Sequence, residues 1–234
     1  MQVPSTTPVR RADVCYHRSV HYPGLFARPW HDPADYPFTA RLERKAPVIR
    51  AELLRRLPDV RGEPHPMGDE LADGAWDALF LYSVGEKRAA CAHFPETTRI
   101  VESIPGATRA GLVYFSVLRP GAHVKPHHGP TNTRIRCHLG LMTPKRAWLR
   151  VGQKRRSWRA GKCLVFDDSF EHESKNSSGE PRIVLIVDVW HPSLSRAEQA
   201  KLYRLFRTQL AQRERSPGAI ARHGALSAFA NLGL

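Results

Sequence analysis

Short apolar segments separated by turn-forming residues dominate the stretch between residues 107 and 192, and almost no helical pattern interrupts them. Together with one earlier segment, they predict the strands Leu79–Tyr82, Leu112–Leu118, Arg136–Met142, Trp148–Val151, Cys163–Phe166 and Ile183–Trp190. Many short strands at this spacing are typical of an antiparallel barrel or jelly roll. We therefore predict a mainly β fold with its chemistry in the mouth of the barrel.

Helical segments flank the predicted barrel on both sides. Over Leu42–Leu57 the apolar residues recur at helical spacing, with Arg and Glu between them, which predicts an amphipathic helix. After the barrel, Ser195 and Glu198 have the spacing of a capping box, and a helical apolar stripe follows them. The sequence therefore predicts a second helix near the C-terminus.

These patterns divide the chain into three parts. We expect residues 1–106 to form a helical and strand segment that packs on the barrel, residues 107–192 to form the barrel itself, and residues 193–234 to form a C-terminal helical extension. The first dozen residues and Arg213–Gly218 have the composition of disordered segments.

Composition sets limits on the partners and the location of the protein. The formal net charge of +14 in 234 residues indicates either an acidic partner, such as nucleic acid, or a general preference for arginine. Arginines scattered among Ala, Gly and Pro favour the second explanation, so nucleic acid is not the expected partner. No apolar stretch has the length of a membrane helix, the start has no apolar signal core, and the four cysteines form no C-x-x-C pair. We expect a cytoplasmic protein.

Histidines are the first candidates for chemistry, although most histidines in proteins are ordinary surface or core residues. His123, His127 and His128 crowd a turn rich in Pro and Gly. His138 follows on the next strand, and His172 lies in a loop after a later strand. Loops at a barrel mouth can bring such residues together, and neutral imidazole binds Fe, Zn, Cu and Ni. The residues alone leave a metal site and a set of unrelated histidines equally open.

Three blocks of the sequence resemble the aspartyl/asparaginyl β-hydroxylase family: SVLRPGAHVKPHHGPTNTRIRCHLGL, GKCLVFDDSFEHES and PRIVLIVDVWHP. Their order and spacing match the family as well as their letters, PGLFARPWHD is similar to a further family segment, and the resemblance covers about residues 20–192. It implies a double-stranded β-helix, the cupin-like jelly roll, with flanking helices. It also implies an enzyme that uses iron(II), 2-oxoglutarate and O2 to hydroxylate an unactivated carbon.

The resemblance places the metal ligands on His127 and His172 and leaves the neighbouring His128 out. The common non-haem iron triad has a carboxylate two residues after the first histidine, but here Gly129 holds that position, and the family is similar in lacking this ligand. Asp168 matches a carboxylate that would hold a water molecule at the open coordination position. A turn-stabilising role for Asp168 is the alternative.

Further contacts to 2-oxoglutarate follow from the same resemblance. Arg182 begins an apolar strand, where an isolated charge needs a reason, and it matches the family arginine that binds the distal carboxylate of 2-oxoglutarate. An arginine that reaches solvent from a strand end is the alternative. Arg136 and His138 alternate on one strand and so share a face, and their family counterparts contact 2-oxoglutarate or the substrate. Ser116 matches another such contact.

Several functions remain open at this point. The resemblance implies hydroxylation at the β-carbon of an Asp- or Asn-like unit in a peptide or amino-acid derivative. The same chemistry on a free or carrier-tethered amino acid, or on a lipid acyl chain, is an alternative. A non-catalytic basic binding protein and a cupin-like zinc protein are further alternatives, and a zinc protein of that kind would not need Arg182.

Overall fold

The computed structural model describes residues 6–8, 18–56 and 63–214. The strands are β1 (Thr6–Pro8), β2 (Arg18–Val20), β3 (Trp30–His31), β4 (Glu63–Pro64), β5 (Ala72–Asp73), β6 (Trp76–Ser83), β7 (Glu86–Lys87), β8 (Leu112–Leu118), β9 (His123–His127), β10 (Arg134–Met142), β11 (Ala147–Val151), β12 (Lys154–Arg156), β13 (Cys163–Phe166), β14 (His172–Asn176) and β15 (Arg182–Trp190). The α-helices are α1 (Pro37–Arg56), α2 (Gly68–Leu71), α3 (Pro95–Glu102), α4 (Ala107–Ala110) and α5 (Arg196–Glu214).

The last eight strands form a double-stranded β-helix. Strands β8, β15, β10 and β13 lie side by side in the main sheet, and β9, β14, β11 and β12 lie side by side in the minor sheet. Neighbouring strands pair antiparallel throughout both sets. The chain crosses between the sheets at nearly every connection, which is the topology of a jelly roll. The predicted fold class is therefore confirmed.

Strands from the first part of the chain extend both sheets. Strands β6 and β4 continue the main sheet beyond β8, β3 continues it beyond β13, and β5 continues the minor sheet beyond β9. The N-terminal part therefore contributes directly to the walls of the barrel.

Alternation along β10 and β15 separates the helix-covered face of the main sheet from its inner face. Ile183, Leu185 and Val187 pack in the large core with Leu42 and Ile49 of α1. Val184 and Ile186 instead pack with Leu149 and Val151 of the minor sheet. Because successive strand residues point to opposite faces, even-numbered residues of β15 and of β10 point between the two sheets. Polar residues at those positions are thus placed inside the barrel.

The predicted strands are observed, several of them one to four residues longer than predicted. The prediction was wrong about the setting of three histidines. His123 and His127 are the first and last residues of β9, and His172 is the first of β14, so none of the three lies in a turn or loop. Period-2 alternation is hard to see in these strands, since polar residues occupy both faces at the open end of the minor sheet.

Outside the barrel, α1 and α5 match the predicted helices. The hydroxyl and amide of Ser195 bind Glu198, as expected for a capping box. α5 continues to Glu214, so the start of the segment predicted to be disordered, Arg213–Gly218, is helical, and its remainder lies outside the described residues. In the first dozen residues, Thr6–Pro8 form a strand paired with β2, and the others lie outside the described part. Across the described ranges, no helix combines the length and apolar character needed to cross a bilayer.

A buried glutamate links α1 to α3. The carboxylate of Glu52 accepts hydrogen bonds from the amide nitrogens of Glu96 and Thr97, both at 2.8 Å, and from the Thr97 hydroxyl at 2.6 Å. These amides belong to the first turn of α3, where backbone N–H groups have no partner within the helix and where negative charge is favourable. Glu52 therefore fixes the two helices that cover the main sheet.

We predict that Glu52→Ala lowers the free energy of unfolding by about 3 kcal/mol, because the variant leaves buried N–H and O–H donors without an acceptor. Chemical denaturation followed by circular dichroism measures this loss. Arg44→Ala, an exposed site on the same helix, is the matched control and should leave the midpoint nearly unchanged. Equal midpoints for the Glu52 variant and the parent would contradict the proposed link.

Candidate functional site

The inner faces of the two sheets and the segment after β4 enclose a cavity. All seven residues singled out from the sequence line it: Ser116, His127, Arg136, His138, Asp168, His172 and Arg182. They come from β8, β9, β10, β14, β15 and the loop before β14. Residues separated by up to 66 positions therefore meet at one place because the jelly roll brings these strand ends together.

His127 and His172 are direct partners in the ladder between β9 and β14. Their ring centroids are 4.1 Å apart. Antiparallel neighbours that face each other lie close enough for their side chains to act together. The strand pairing thus places two imidazoles side by side.

Hydrogen bonds define the tautomer of both rings. Nδ1 of His127 lies 2.7 Å from the carbonyl oxygen of Lys125, and Nδ1 of His172 lies 2.9 Å from that of Phe170. A carbonyl oxygen only accepts, so each Nδ1 carries the proton and each Nε2 has a free lone pair. Burial lowers the pKa of His127, and burial together with His127 lowers the pKa of His172 well below its usual value. Neutral imidazoles held by a carbonyl in this way are suited to binding a metal through Nε2.

The neighbouring His128 has a different environment. Its side chain is exposed, and its Nδ1 donates to the carbonyl oxygen of Ser169 at 2.9 Å. It lies at the rim of the cavity and outside the pair.

Asp168 occupies the space where a third ligand after His127 would project. A Cβ atom built on Gly129 would lie 2.5 Å from the carboxyl carbon of Asp168, so a side chain at position 129 has no room. The amide of Gly129 also donates to the Asp168 carbonyl oxygen at 2.6 Å. Among the residues that the structure describes, no three His, Cys, Asp or Glu side chains are grouped to hold a metal. The donor set at this place is therefore two histidines with a carboxylate beside them.

Asp168 belongs to a buried cluster of two arginines and two aspartates. Arg136 contacts Asp168 at 2.9 Å and Asp188 at 2.8 Å, and Arg134 contacts Asp168 at 3.2 Å and Asp188 at 3.4 Å. Burial by itself would raise the pKa of Asp168, but Arg136 and Arg134 outweigh burial and lower it. The cluster thus pairs two guanidinium groups with two carboxyl groups inside the protein.

This cluster changes the expectation for Arg136. The residue lies on the inner face beside His138, but three of its guanidinium nitrogens already face the carboxylates of Asp168 and Asp188. Its charge is therefore compensated within the protein. A direct contact of Arg136 with 2-oxoglutarate or substrate stays a prediction.

Arg182 differs from Arg136 because its charge is not compensated by a described carboxylate. It is 2% exposed, its Nη1 donates weakly to the carbonyl and hydroxyl oxygens of Ser116 at 3.3 Å, and its guanidinium lies 4.8 Å from the centroid of the Trp158 ring. Within the described ranges, no acidic side chain forms an ion pair with it, and Nε has no partner. Burial lowers the pKa of Arg182 to about 9, so the group is still a cation at neutral pH. A buried cation without a counter-ion is costly, and an anionic ligand would relieve that cost.

His138 provides a neutral donor in the same cavity. The indole nitrogen of Trp158 donates to its Nδ1 at 3.3 Å, so the ring proton sits on Nε2, which is buried without a partner. Burial, followed by the charge of Arg182, lowers the pKa of His138 well below its usual value. The imidazole therefore stays neutral and offers one N–H to a ligand.

Other residues of the cavity escaped the sequence analysis. Asp188 and Arg134 complete the charge cluster. Asp188 could have been found from the sequence, because it is an isolated charge in an apolar strand. Trp76 donates to the Ser116 hydroxyl at 3.0 Å, and His65 stacks on Trp76. Nothing in the spacing of His65 or Trp76 distinguishes them from core residues.

The fold and the site together define a jelly-roll protein with a histidine pair suited to a metal and a buried arginine suited to an anion. Residues 43–192 match the family model described as aspartyl/asparaginyl beta-hydroxylase. The chain belongs to this family.

Relatives of known name lie in the same family. The chain is 38% identical over 187 residues to the human aspartyl/asparaginyl beta-hydroxylase, covering 76% of this chain and 25% of the human protein. It is 36% identical over 192 residues to the ornithine lipid ester-linked acyl 2-hydroxylase of Rhizobium tropici, covering 76% of this chain and 66% of that protein. The chain thus spans about a quarter of the length of the human relative.

Solved structures resemble the chain only distantly. A predicted oxalate decarboxylase from Thermotoga maritima aligns with a TM-score of 0.39 and 15% identity over 58% of this chain and 96% of that one. A cupin 2 conserved barrel domain protein from Salinispora arenicola aligns with a TM-score of 0.33 and 18% identity over 58% and 87%. The architecture therefore rests on the strand order described above.

We predict that metal binding requires His127 and His172 but not His128. His172→Ala should reduce the metal content from about one ion per chain to near zero, because it removes one of the two prepared lone pairs. His128→Ala should keep the metal. Elemental analysis after loading with iron(II) or zinc(II) under anaerobic conditions measures both, and retention of metal by the His172 variant would contradict the assignment.

Proposed function

We propose that this protein is an iron(II)- and 2-oxoglutarate-dependent hydroxylase acting on a carbon next to a carbonyl group. The β-carbon of an Asp- or Asn-like unit in a peptide or amino-acid derivative is the first candidate. Membership of the β-hydroxylase family supports hydroxylation. The dependence on iron and 2-oxoglutarate is supported by the donor set of the cavity.

The observation that carries the proposal is Arg182. A fully buried guanidinium without a carboxylate partner, in the same cavity as two neutral histidines, needs an anionic ligand when the cavity is filled. The distal carboxylate of 2-oxoglutarate fits a planar donor of this type. In a zinc cupin without an anionic cosubstrate, no ligand would compensate the buried charge of Arg182.

When bound, iron(II) would supply a site where O2 oxidises 2-oxoglutarate to succinate and CO2 and where the second oxygen atom turns a substrate C–H bond into C–OH. In the proposal, Nε2 of His127 and Nε2 of His172 hold the ion. Arg182 and Ser116 bind the distal carboxylate of 2-oxoglutarate, and His138 donates its Nε2 proton to another oxygen of the same molecule. These groups fix the cosubstrate before the substrate arrives, which lowers the cost of orienting it.

Asp168 has one oxygen available for a further role. Its Oδ2 accepts from Arg134 and Arg136, whereas Oδ1 is buried without a partner among the described residues. In the proposal, Oδ1 accepts a hydrogen bond from a water molecule at the open position beside the histidines. Arg136 acts by holding Asp168 in this orientation.

The two relatives point to one shared feature of the substrate. The β-carbon of an aspartyl or asparaginyl residue is bonded to the side-chain carbonyl carbon, and carbon 2 of an ester-linked acyl chain is bonded to the ester carbonyl carbon. The names of both relatives therefore describe hydroxylation next to a carbonyl group. We extend this common chemistry to the present protein, with the lipid acyl chain as the second candidate. Apolar side chains in the cavity, such as Leu71, Val124 and Ile186, are compatible with either substrate.

We predict that Arg182→Ala raises the half-saturating 2-oxoglutarate concentration by at least about 30-fold, since loss of one partner of a buried charge pair costs roughly 2–5 kcal/mol. Succinate release as a function of 2-oxoglutarate concentration measures this rise. Arg182→Lys should fall between parent and alanine variant, because it keeps the charge but loses the paired donors. Arg159→Ala, at an exposed site, is the control. An unchanged titration for Arg182→Ala would place the 2-oxoglutarate carboxylate elsewhere.

We also predict hydroxylation of Asp- or Asn-containing peptides. With iron(II), ascorbate and 2-oxoglutarate, the product should gain the mass of one oxygen atom, with one succinate formed per product. Free Asp and Asn, an ester-linked acyl amphiphile, and peptides with Ala or Leu at the central position form the comparison set. Mass gain confined to the acyl amphiphile selects the second candidate. The absence of any 2-oxoglutarate turnover by metal-loaded protein would refute the proposed function and favour a binding protein.

A further inference from the structure

His65 is a buried polar residue of the cavity wall with no part in the roles described above. It follows β4, it is 5% exposed, and it lines the cavity together with His127 and Arg136. β4 is an addition to the sheet of the barrel, so His65 enters the site from outside the eight strands of the jelly roll.

The backbone and the ring of His65 are both held in place. Its amide donates to the carbonyl oxygen of Trp76 at 2.8 Å, and its carbonyl oxygen accepts from the amide of Gly68 at 2.6 Å. The imidazole stacks on the indole of Trp76, with ring centroids 3.5 Å apart and an interplanar angle of 8°. Trp76 in turn donates to Ser116. The direction of the His65 ring is therefore fixed by its neighbours.

The hydrogen bonds of His65 leave one donor available. The amide of Met67 donates to Nδ1 at 3.2 Å, and an amide N–H can only donate, so the proton of the neutral ring lies on Nε2. Burial lowers the pKa of His65 well below its usual value, and the charge of Arg136 acts in the same direction. The ring is neutral at pH 7. Within the part of the chain that the structure describes, Nε2 forms no hydrogen bond.

Three other donors of the cavity already have partners or assigned roles. Arg136 is bound by Asp168 and Asp188, while Arg182 and His138 are assigned to 2-oxoglutarate. A neutral N–H is suited to a neutral oxygen acceptor, since it brings no charge that would require a carboxylate. A carbonyl oxygen of the substrate is such an acceptor.

We propose that Nε2–H of His65 donates a hydrogen bond to the neutral side-chain carbonyl oxygen of an Asn-like unit in a peptide, beside the carbon that is hydroxylated. This inference rests on the proposed function, because it takes the occupant of the cavity to be the substrate of that reaction. His65 is then a substrate-contacting residue that selects for a carbonyl at this position.

The test uses the full chain loaded with redox-inert zinc(II) and 2-oxoglutarate, so that binding is measured without turnover. An Asn-centred peptide is titrated against parent protein labelled with 15N-histidine, and calorimetry gives its dissociation constant. The His65 resonance should report the Nε2–H tautomer and should shift when the peptide binds. The His65→Phe variant keeps a ring that can stack on Trp76 but has no N–H donor, so its affinity for the peptide should be about tenfold lower. The His65→Gln variant restores an N–H, so its affinity for the peptide should lie within about threefold of that of the parent. His93→Phe, at an exposed histidine, is the control.

Several results would overturn the proposal: unchanged peptide affinity in His65→Phe, a proton on Nδ1 of His65, or loss of zinc in His65→Phe, which would make this residue a ligand. An affinity loss seen with an ester-linked acyl amphiphile but not with the peptide would also overturn it. The zinc and 2-oxoglutarate titrations of the parent protein test the proposed function separately. If the parent fails to bind 2-oxoglutarate while the peptide still shifts the His65 resonance, the proposed function is wrong. The contact between His65 and the peptide is then still supported.

Discussion

The site depends on the buried cluster of Arg134, Arg136, Asp168 and Asp188. It joins neighbouring strands β10 and β15 of the main sheet to the loop that leads into β14 of the minor sheet. Buried charges of this kind are costly unless each has an opposite charge at short range, so the cluster favours one arrangement of the sheets. Because Asp168 is fixed in this way, the chain around Gly129 and the histidine pair beside it are fixed as well. Ion pairs thus fix the site on the inner face of the main sheet, whereas apolar packing holds the helices on its opposite face.

Much of this arrangement could be predicted from the sequence. The apolar strands and the two long helices follow from local periodicity, and Arg182 is an isolated charge in a buried strand, which indicates its unusual role. β9 and β14 were harder to predict, because only His127 and His172 among their charged and histidine residues line the cavity. The others, His123, Lys125, Glu173 and Lys175, lie on the outer face of the minor sheet. The short length of these strands leaves too few residues for alternation to be evident. Their pairing is a long-range property, and only the assembled sheet shows it.

The balance of charge within the cavity was beyond sequence reasoning for a related reason. Arg136 and Arg182 look alike in the sequence, since both are basic residues on apolar strands. Only the fold shows that Asp188 and Asp168 neutralise the first and that no described carboxylate reaches the second. Likewise, only the fold shows that the His65 ring is held in the cavity wall by stacking on Trp76 of β6. The jelly roll supplies the histidine pair and Arg182, whereas added N-terminal elements supply part of the cavity wall, including His65.

The pairing of His127 with His172 has a consequence for the stability of the whole barrel. An ion held by both residues would join β9 to β14 and close a loop that contains β10, β11, β12 and β13. An ion that binds only the folded state shifts the folding equilibrium toward that state. Loss of the ion would then loosen the open end of the minor sheet first, where the ladder between the two strands is short. Depletion of the metal would in this way lower the stability of the fold as well as remove its chemistry.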